Sequence, residues 1–261
     1  MSGIVSLTML VDTHAHLCDA SFDEDRGVVL DRARAAGVTA VVAVGETLAE
    51  FERNLELASE FDLVRPCGGL FPTNLDLDEA ARLEVRLRDE SARVTAVGEI
   101  GLDYWKVQDE ADREVQREIF ARFVRLAVEL DKPVNVHSRS AGAATIDLLR
   151  DLGASRVQMH AFDGRAAKAQ RGVEAGFFFS VPPSIVRSPQ KQKLVRRLPL
   201  DCLLVETDSP VLGPEPNDRN EPANVTISIG AIAELKDLHR EEVVEAVVEN
   251  TVRLYGELSP S

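Results

Sequence analysis

Eight short apolar runs recur along this chain, each followed by a segment with helical spacing, and that alternation leaves few folds open. The runs lie at 9–14, 38–44, 64–70, 94–100, 133–137, 156–160, 177–180 and 202–206. Val38 to Val44 is β-branched and uncharged, as suits a strand buried on both faces of a parallel sheet. Between the runs, helices are predicted near 23–36, 48–61, 78–90, 109–130, 141–152, 166–175 and 189–198. The longest carries an apolar stripe of Val115, Ile119, Phe120, Phe123, Leu126, Ala127 and Leu130, with Arg and Glu opposite. Gly37, Gly153 and Gly176 stand where helices should stop. Two further helices, near 225–235 and 241–254, close the chain. Alternation with short connections demands a parallel sheet with helical crossovers. Eight units with no evident edge strand favour a closed barrel. The expected fold is a single (β/α)8 TIM barrel with an extra C-terminal helix. A barrel of this kind needs about 250 residues; the chain has 261, so residues 1–261 are expected to form one domain.

Composition narrows the function classes. No apolar run approaches the roughly 20 residues that span a bilayer. Ile4 to Val11 is apolar but lacks a basic leader and runs into Asp12 and His14, so no export signal is read there. Met9 is an alternative start. Cys18, Cys67 and Cys202 are far apart and form no C-x-x-C pair, which implies neither a disulfide framework nor a cysteine zinc site. Cys18, close to His16, is expected to be a small buried hydrophobe, and the compartment a reducing cytoplasm. The net charge is −14, and only six of the thirty basic residues are lysines. Such a surface resembles that of proteins adapted to concentrated salt. It argues against a broad nucleic-acid-binding face, which needs a basic patch. No Gly-x-Gly-x-x-Gly follows the first strand, which removes the dinucleotide-binding reading.

The chemistry lies in the histidines. Of five, four sit at predicted strand ends: His14 and His16 on the first, His137 on the fifth, His160 on the sixth. His239, between the last two helices, is read as a surface residue. Residues two apart in a strand point to the same side, so His14 and His16 can reach one ion. Glu99 lies near the end of the fourth strand and Asp208 just after the eighth. In a barrel of this kind the carboxyl ends of the strands meet at one face, where active sites are built. Four imidazoles and two carboxylates would converge there, a donor set suited to a pair of divalent ions such as zinc or manganese. Each residue alone has a plainer reading, as a hydrogen-bonded side chain, a cap or an ion pair; their coincidence at one face favours metal binding.

Several motifs, in order over nearly the whole chain, resemble the TatD-type metal-dependent deoxyribonucleases, a branch of the amidohydrolase-like barrels. They are 11–16 (VDTHAH), 97–104 (VGEIGLDY), Gln116 and Phe120 on the long helix, 133–139 (PVNVHSR), 160–164 (HAFDG), 206–210 (ETDSP) and 219–225 (RNEPANV). The resemblance implies that His14, His16 and Asp208 hold one metal, and that Glu99 bridges to a second held by His137 and His160. The ions would be Zn, Mn or Mg. A bridging glutamate, rather than a carboxylated lysine, agrees with the placement of Lys132 at the wrong end of strand five and Lys106 in a loop.

The resemblance further implies metal-assisted hydrolysis, with Asp208 as proton acceptor and Glu99 as the second catalytic carboxylate. Arg139 and Arg219 are candidate phosphate contacts, each with the alternative of a surface ion pair. The implied function is phosphodiester hydrolysis, a 3′–5′ exonuclease acting on single-stranded DNA or DNA ends, as a monomer without membrane association. The family's His-Pro-His-like motif after the third strand is missing here, where the chain reads Phe71-Pro72-Thr73. Two alternatives stay open, because fold and ligand set do not fix the substrate. One is a deacylase, esterase or amidase acting on aminoacyl-tRNA or a small substrate. The other is a non-catalytic metal-binding partner protein.

Overall fold

The uncharged β-branched run Val38–Ala43 becomes strand β2 of a computed structural model that describes residues 9–258. Its faces bury in different layers, as a period of two requires. Ala40, Val42 and Val44 pack with Val11, Cys67, Ala96, Phe178 and Leu204 in one cluster. Val41 and Ala43 belong to a second, larger cluster that the strands share with the helices. The other strands are β1 (Leu10–Ala15), β3 (Val64–Gly68), β4 (Ala96–Gly101), β5 (Val134–His137), β6 (Val157–Met159), β7 (Phe178–Val181) and β8 (Leu203–Val205). All neighbours pair in parallel and in sequence order. The crossovers are α1 (Arg26–Ala35), α2 (Leu48–Glu60), α3 (Leu77–Asp89), α4 (Glu110–Glu129), α5 (Gly142–Asp151), α6 (Ala166–Glu174) and α7 (Pro189–Arg197), followed by α8 (Val225–Lys236) and α9 (Arg240–Tyr255). This is the expected (β/α)8 barrel with its extra C-terminal helix.

Helix ends follow local chemistry. Asp109 caps α4 by accepting from the amides of Ala111 and Asp112. Gly153 and Gly176 end α5 and α6 with φ of 73° and 80°, a region that a residue with a Cβ enters at a cost. The α4 stripe is buried as expected at Ile119, Phe120, Phe123, Leu126 and Ala127. Phe123 is fully enclosed, so its truncation to Ala should cost about 3–5 kcal/mol. One boundary differs: α1 starts at Arg26 rather than Asp23. Asp19 caps a short 3-10 turn, Ala20–Phe22, and Arg26 is held by Leu17 O and Asp23, which delays the helix.

The connections are short except after β8, where 206–224 form a long excursion that takes in the Pro-, Asn- and charge-rich loop the sequence shows at 212–222. That segment closes the barrel. No β8–β1 ladder exists among the described residues. Instead Asp208 N donates to His14 O and His16 N to Ser209 O, both at 2.8 Å. The buried Asp12 carboxylate accepts from Thr207 N at 2.8 Å and from its hydroxyl. Burial pushes Asp12 up to about 7, against the pull of the Thr207 donors. At the end of α9, Leu254 and Tyr255 join the β2-facing cluster, and Tyr255 reaches the barrel's polar residues through its hydroxyl. No helix among the described residues is long and apolar enough to cross a membrane. Residues 4–8 of the apolar stretch 4–11 lie outside the described residues.

Candidate metal centre

Closure of the seam brings the first three donors together. Asp208, turned into the left-handed region at φ 55°, aims its carboxylate back at β1. Its Oδ1 lies 3.4 Å from His14 Nε2 and 3.2 Å from His16 Nε2. The two imidazole nitrogens are 3.3 Å apart. These three residues offer donor atoms that all lie within 4.8 Å of one another, as do His14, Glu99 and His160, and His16, Glu46 and Glu99.

Glu99 is the centre of the arrangement. It is 2% exposed, and its two oxygens face different histidines. Oε2 lies 3.6 Å from both His14 and His16 Nε2. Oε1 lies 2.8 Å from His137 Nδ1 and 3.8 Å from His160 Nε2. Gly101, two residues on, has φ 153°, and a Cβ there would collide with the His137 carbonyl. The glycine therefore lets β4 and β5 approach closely enough to join Glu99 to His137.

Three of the four imidazoles at the centre, those of His14, His137 and His160, are held through the nitrogen turned away from it, the arrangement that fixes a metal-binding histidine. His14 Nδ1 meets Asn135 Oδ1 at 2.8 Å, His137 Nε2 meets Asp103 Oδ2 at 3.1 Å, and His160 Nδ1 meets Glu206 Oε2 at 3.0 Å. The His160 ring also stacks on His14, with centroids 3.7 Å apart. Beneath them a buried network ties the supports together. Asn135 Nδ2 donates to Tyr255 Oη, Tyr255 donates to Gln158 Oε1 at 2.6 Å, and Gln158 Nε2 and Ser180 Oγ donate to Glu206. Asp103 is set by the amides of Trp105 and Lys106, and its own amide donates to Gln116, which also reaches Pro72 O from α4.

The electrostatics call for positive charge at this point. Burial alone would lower His14, but the Asp208 hydrogen bond and the charges of Glu99 and Asp208 raise it to about 10. Burial likewise opposes charging of His137, and Asp103 and Glu99 raise it to about 9. Burial disfavours ionised Asp208, yet His160, His14 and His16 hold it well below the usual carboxylate range. Glu99 is lowered in the same way against its burial, by His137 first and then His14 and His160. Imidazole nitrogens and carboxylates poised as anions are the donors that borderline divalent ions take, so the residues present fit such ions.

All six residues expected as ligands thus meet at one mouth, though His137 joins through Glu99 alone and completes none of the three donor groups. Arg139 flanks the mouth with its guanidinium 3.7 Å from the Trp105 ring centroid. Arg219 does not reach it: both its terminal nitrogens engage the Asp25 carboxylate, the ion-pair alternative. Phe71, where the His-Pro-His-like motif would begin, packs its ring against His137 at 4.9 Å. Cys18 points to Val44 O and packs on the core, outside every donor group. His239 is exposed at the start of α9. Lys132 lies with Asp131 and Arg156, away from the mouth.

The sequence reading missed Glu46, Asp103, Asn135, Glu206 and Lys191. Glu46, just past β2, is half-buried and pushed up to about 7 by burial and by the charge of Glu99. A cavity of about 420 Å³ opens beside the histidines, lined among others by Ser138, Arg139, His160, Lys191 and Asp208. Ser138 Oγ is buried there without a hydrogen-bond partner.

Residues 11–256 match the family model described as TatD related DNase. The human protein named deoxyribonuclease TATDN3 is 46% identical over 95% of this chain and 95% of its own. An uncharacterised metal-dependent hydrolase of Bacillus subtilis, YabD, is 34% identical over 95% of this chain and 99% of its own. The crystal structure of YJJV, a TatD homologue from Escherichia coli, superposes with a TM-score of 0.88 at 29% identity, covering 96% of this chain and 99% of that one. With a matched model over nearly its full length and this arrangement of histidines and acids, the chain belongs to the TatD-related DNase family, the metal-dependent hydrolases on a (β/α)8 barrel.

Proposed function

We propose that this protein is a two-metal deoxyribonuclease that removes nucleotides from DNA ends in the 3′–5′ direction. The observation that carries the reading is Glu99, whose oxygens face His14 and His16 on one side and His137 and His160 on the other. His14, His16 and Asp208 would hold one ion, His137 and His160 the other, with Glu99 common to both. Zn, Mn or Mg held there would polarise a phosphoryl oxygen and bring a water's pKa to roughly 7.

The chain's own groups supply the rest. Asp208, kept ionised by its histidines, is placed to accept the proton of the attacking water and return it to the leaving oxygen. Arg139, fixed against Trp105, and the unpartnered Ser138 hydroxyl are placed to bind the phosphoryl oxygens. Arg219 is left out of these contacts because Asp25 neutralises it. DNA as substrate is supported by the human relative's name and by an active-site family of nucleases. A monomeric single domain in a reducing compartment is part of the same proposal, consistent with three free cysteines.

End-labelled single-stranded DNA and aminoacyl-tRNA, each offered to the purified protein with Mn²⁺, separate the readings. Stepwise release of mononucleotides from the 3′ end supports the nuclease. Release of the amino acid with DNA left intact would replace it by the deacylase.

A further inference from the structure

The chain is strongly acidic, yet α7 reads Pro-Gln-Lys-Gln-Lys-Leu-Val-Arg-Arg with no acid in it. Its first turn stands between two cavities. On one side Lys191 lines the catalytic mouth, and its Nζ donates to Ala161 O at 3.0 Å. On the other, a second cavity of about 420 Å³ lies between α7 and the start of α6, lined by Arg165, Gln190, Lys193, Leu194 and Arg197 among others. Gln190 donates to Gly164 O at 2.9 Å, so residues 190 and 191 clamp the loop that follows His160 and separate the cavities by one turn of chain. No carboxylate lines the second cavity. Most arginine side chains of this protein are spent in ion pairs or hydrogen bonds; among the described residues the side chains of Arg165, Lys193 and Arg197 make neither.

We infer that this α6–α7 groove binds the phosphodiester backbone of the substrate strand where it leaves the catalytic mouth. The inference rests on the nuclease reading for what fills the mouth, and deepens it by giving the strand a path. Three unpaired cations converging beside the mouth are complementary to successive phosphates, and a single strand is held by a positively charged groove that tracks its backbone. Local placement also resolves how an acidic protein takes a polyanion: attraction is confined to the face where the strand must lie.

The test is binding of a fluorescein-labelled single strand of roughly ten nucleotides to metal-stripped protein over a salt series. Lys193→Gln/Arg197→Gln is compared with Arg125→Gln/Arg150→Gln, which removes the same charge from exposed positions on α4 and α5. All four side chains are exposed, so folding is not at stake. Each phosphate contact contributes a slope of about 0.7 in log affinity against log salt. The groove variant should therefore lose about 1.4 of slope and about 20-fold in affinity near 0.1 M salt, with the control close to wild type. Equal losses in both variants, or none in the groove variant, would overturn the groove. Nucleotide release by the wild type with Mn²⁺ is scored separately. Groove-dependent binding without release would retain the groove and remove the nuclease reading; release with groove-independent binding would do the reverse.

Discussion

The two halves of the centre are built differently. At the β8–β1 seam, His14, His16 and Asp208 already form a closed set, with nitrogen and oxygen atoms 3.2–3.4 Å apart and the His14 ring locked by Asn135 and by stacking on His160. On the side of β4, β5 and β6, His137 meets only Glu99 at the centre, and His160 approaches Glu99 no closer than 3.8 Å. The seam half is preorganised, because the backbone bonds that close the barrel are the bonds that place its donor side chains. The other half draws on separate strands joined through one carboxylate. A preorganised set loses less freedom on binding, so the seam half should hold its ion more tightly.

The largest expected effect comes from the residue the halves share. Glu99→Ala should leave elemental analysis with little metal in either half and turnover down by about 10⁴-fold. Retention of two ions in that variant would break the bridging assignment. Asp208→Asn keeps shape and one oxygen donor but takes up no proton, so turnover should fall about 100-fold or more while the melting temperature barely moves. Near-normal turnover would remove Asp208 from proton transfer.

Loosening the supports should sharpen the contrast. Asn135→Ala frees the His14 ring and Asp103→Asn weakens the hold on His137. Each should cost about 10–100-fold in affinity for one ion only, Asn135→Ala at the tighter step and Asp103→Asn at the weaker step of a Mn²⁺ titration. Loss at the same step in both variants would mean the halves are one site.

A smaller effect concerns pH. Without metal, His14 sits at about 10 and His137 at about 9, above the ordinary 6.5. Stability from these raised values is full below the unfolded value of 6.5 and is lost as pH rises through the folded values. Chelator-treated protein should thus melt progressively lower from pH 7 to 10. Metal-loaded protein should show little of this slope, since coordination displaces those protons. Parallel slopes with and without metal would disconnect the histidines from the ions.

Much of this was legible in the chain. The eight-fold alternation dictated the barrel, and the four strand-end histidines, Glu99 and Asp208 were visible because ligands at strand ends share one face. The supports were not. Asn135 lies 121 residues from His14 and Glu206 46 from His160, so although both stand inside motifs, only the folded register shows which histidine each one holds. Arg139 stood ahead of Arg219 as a phosphate contact by its place just past His137, and the nearby Trp105 ring and the Asp25 carboxylate separate the two in the same direction. The seam was also hidden, because a three-residue β8 gives no hint that the following loop finishes the barrel.

One carboxylate shared between two unequal metal sites has a crystallographic signature, which anomalous diffraction at the manganese edge from crystals grown with Mn²⁺ would read. Two peaks are expected, the stronger among His14, His16 and Asp208 and the weaker beside His137 and His160, with a Glu99 oxygen bound to each. A single peak, or two peaks with Glu99 bound to only one, would contradict the sharing.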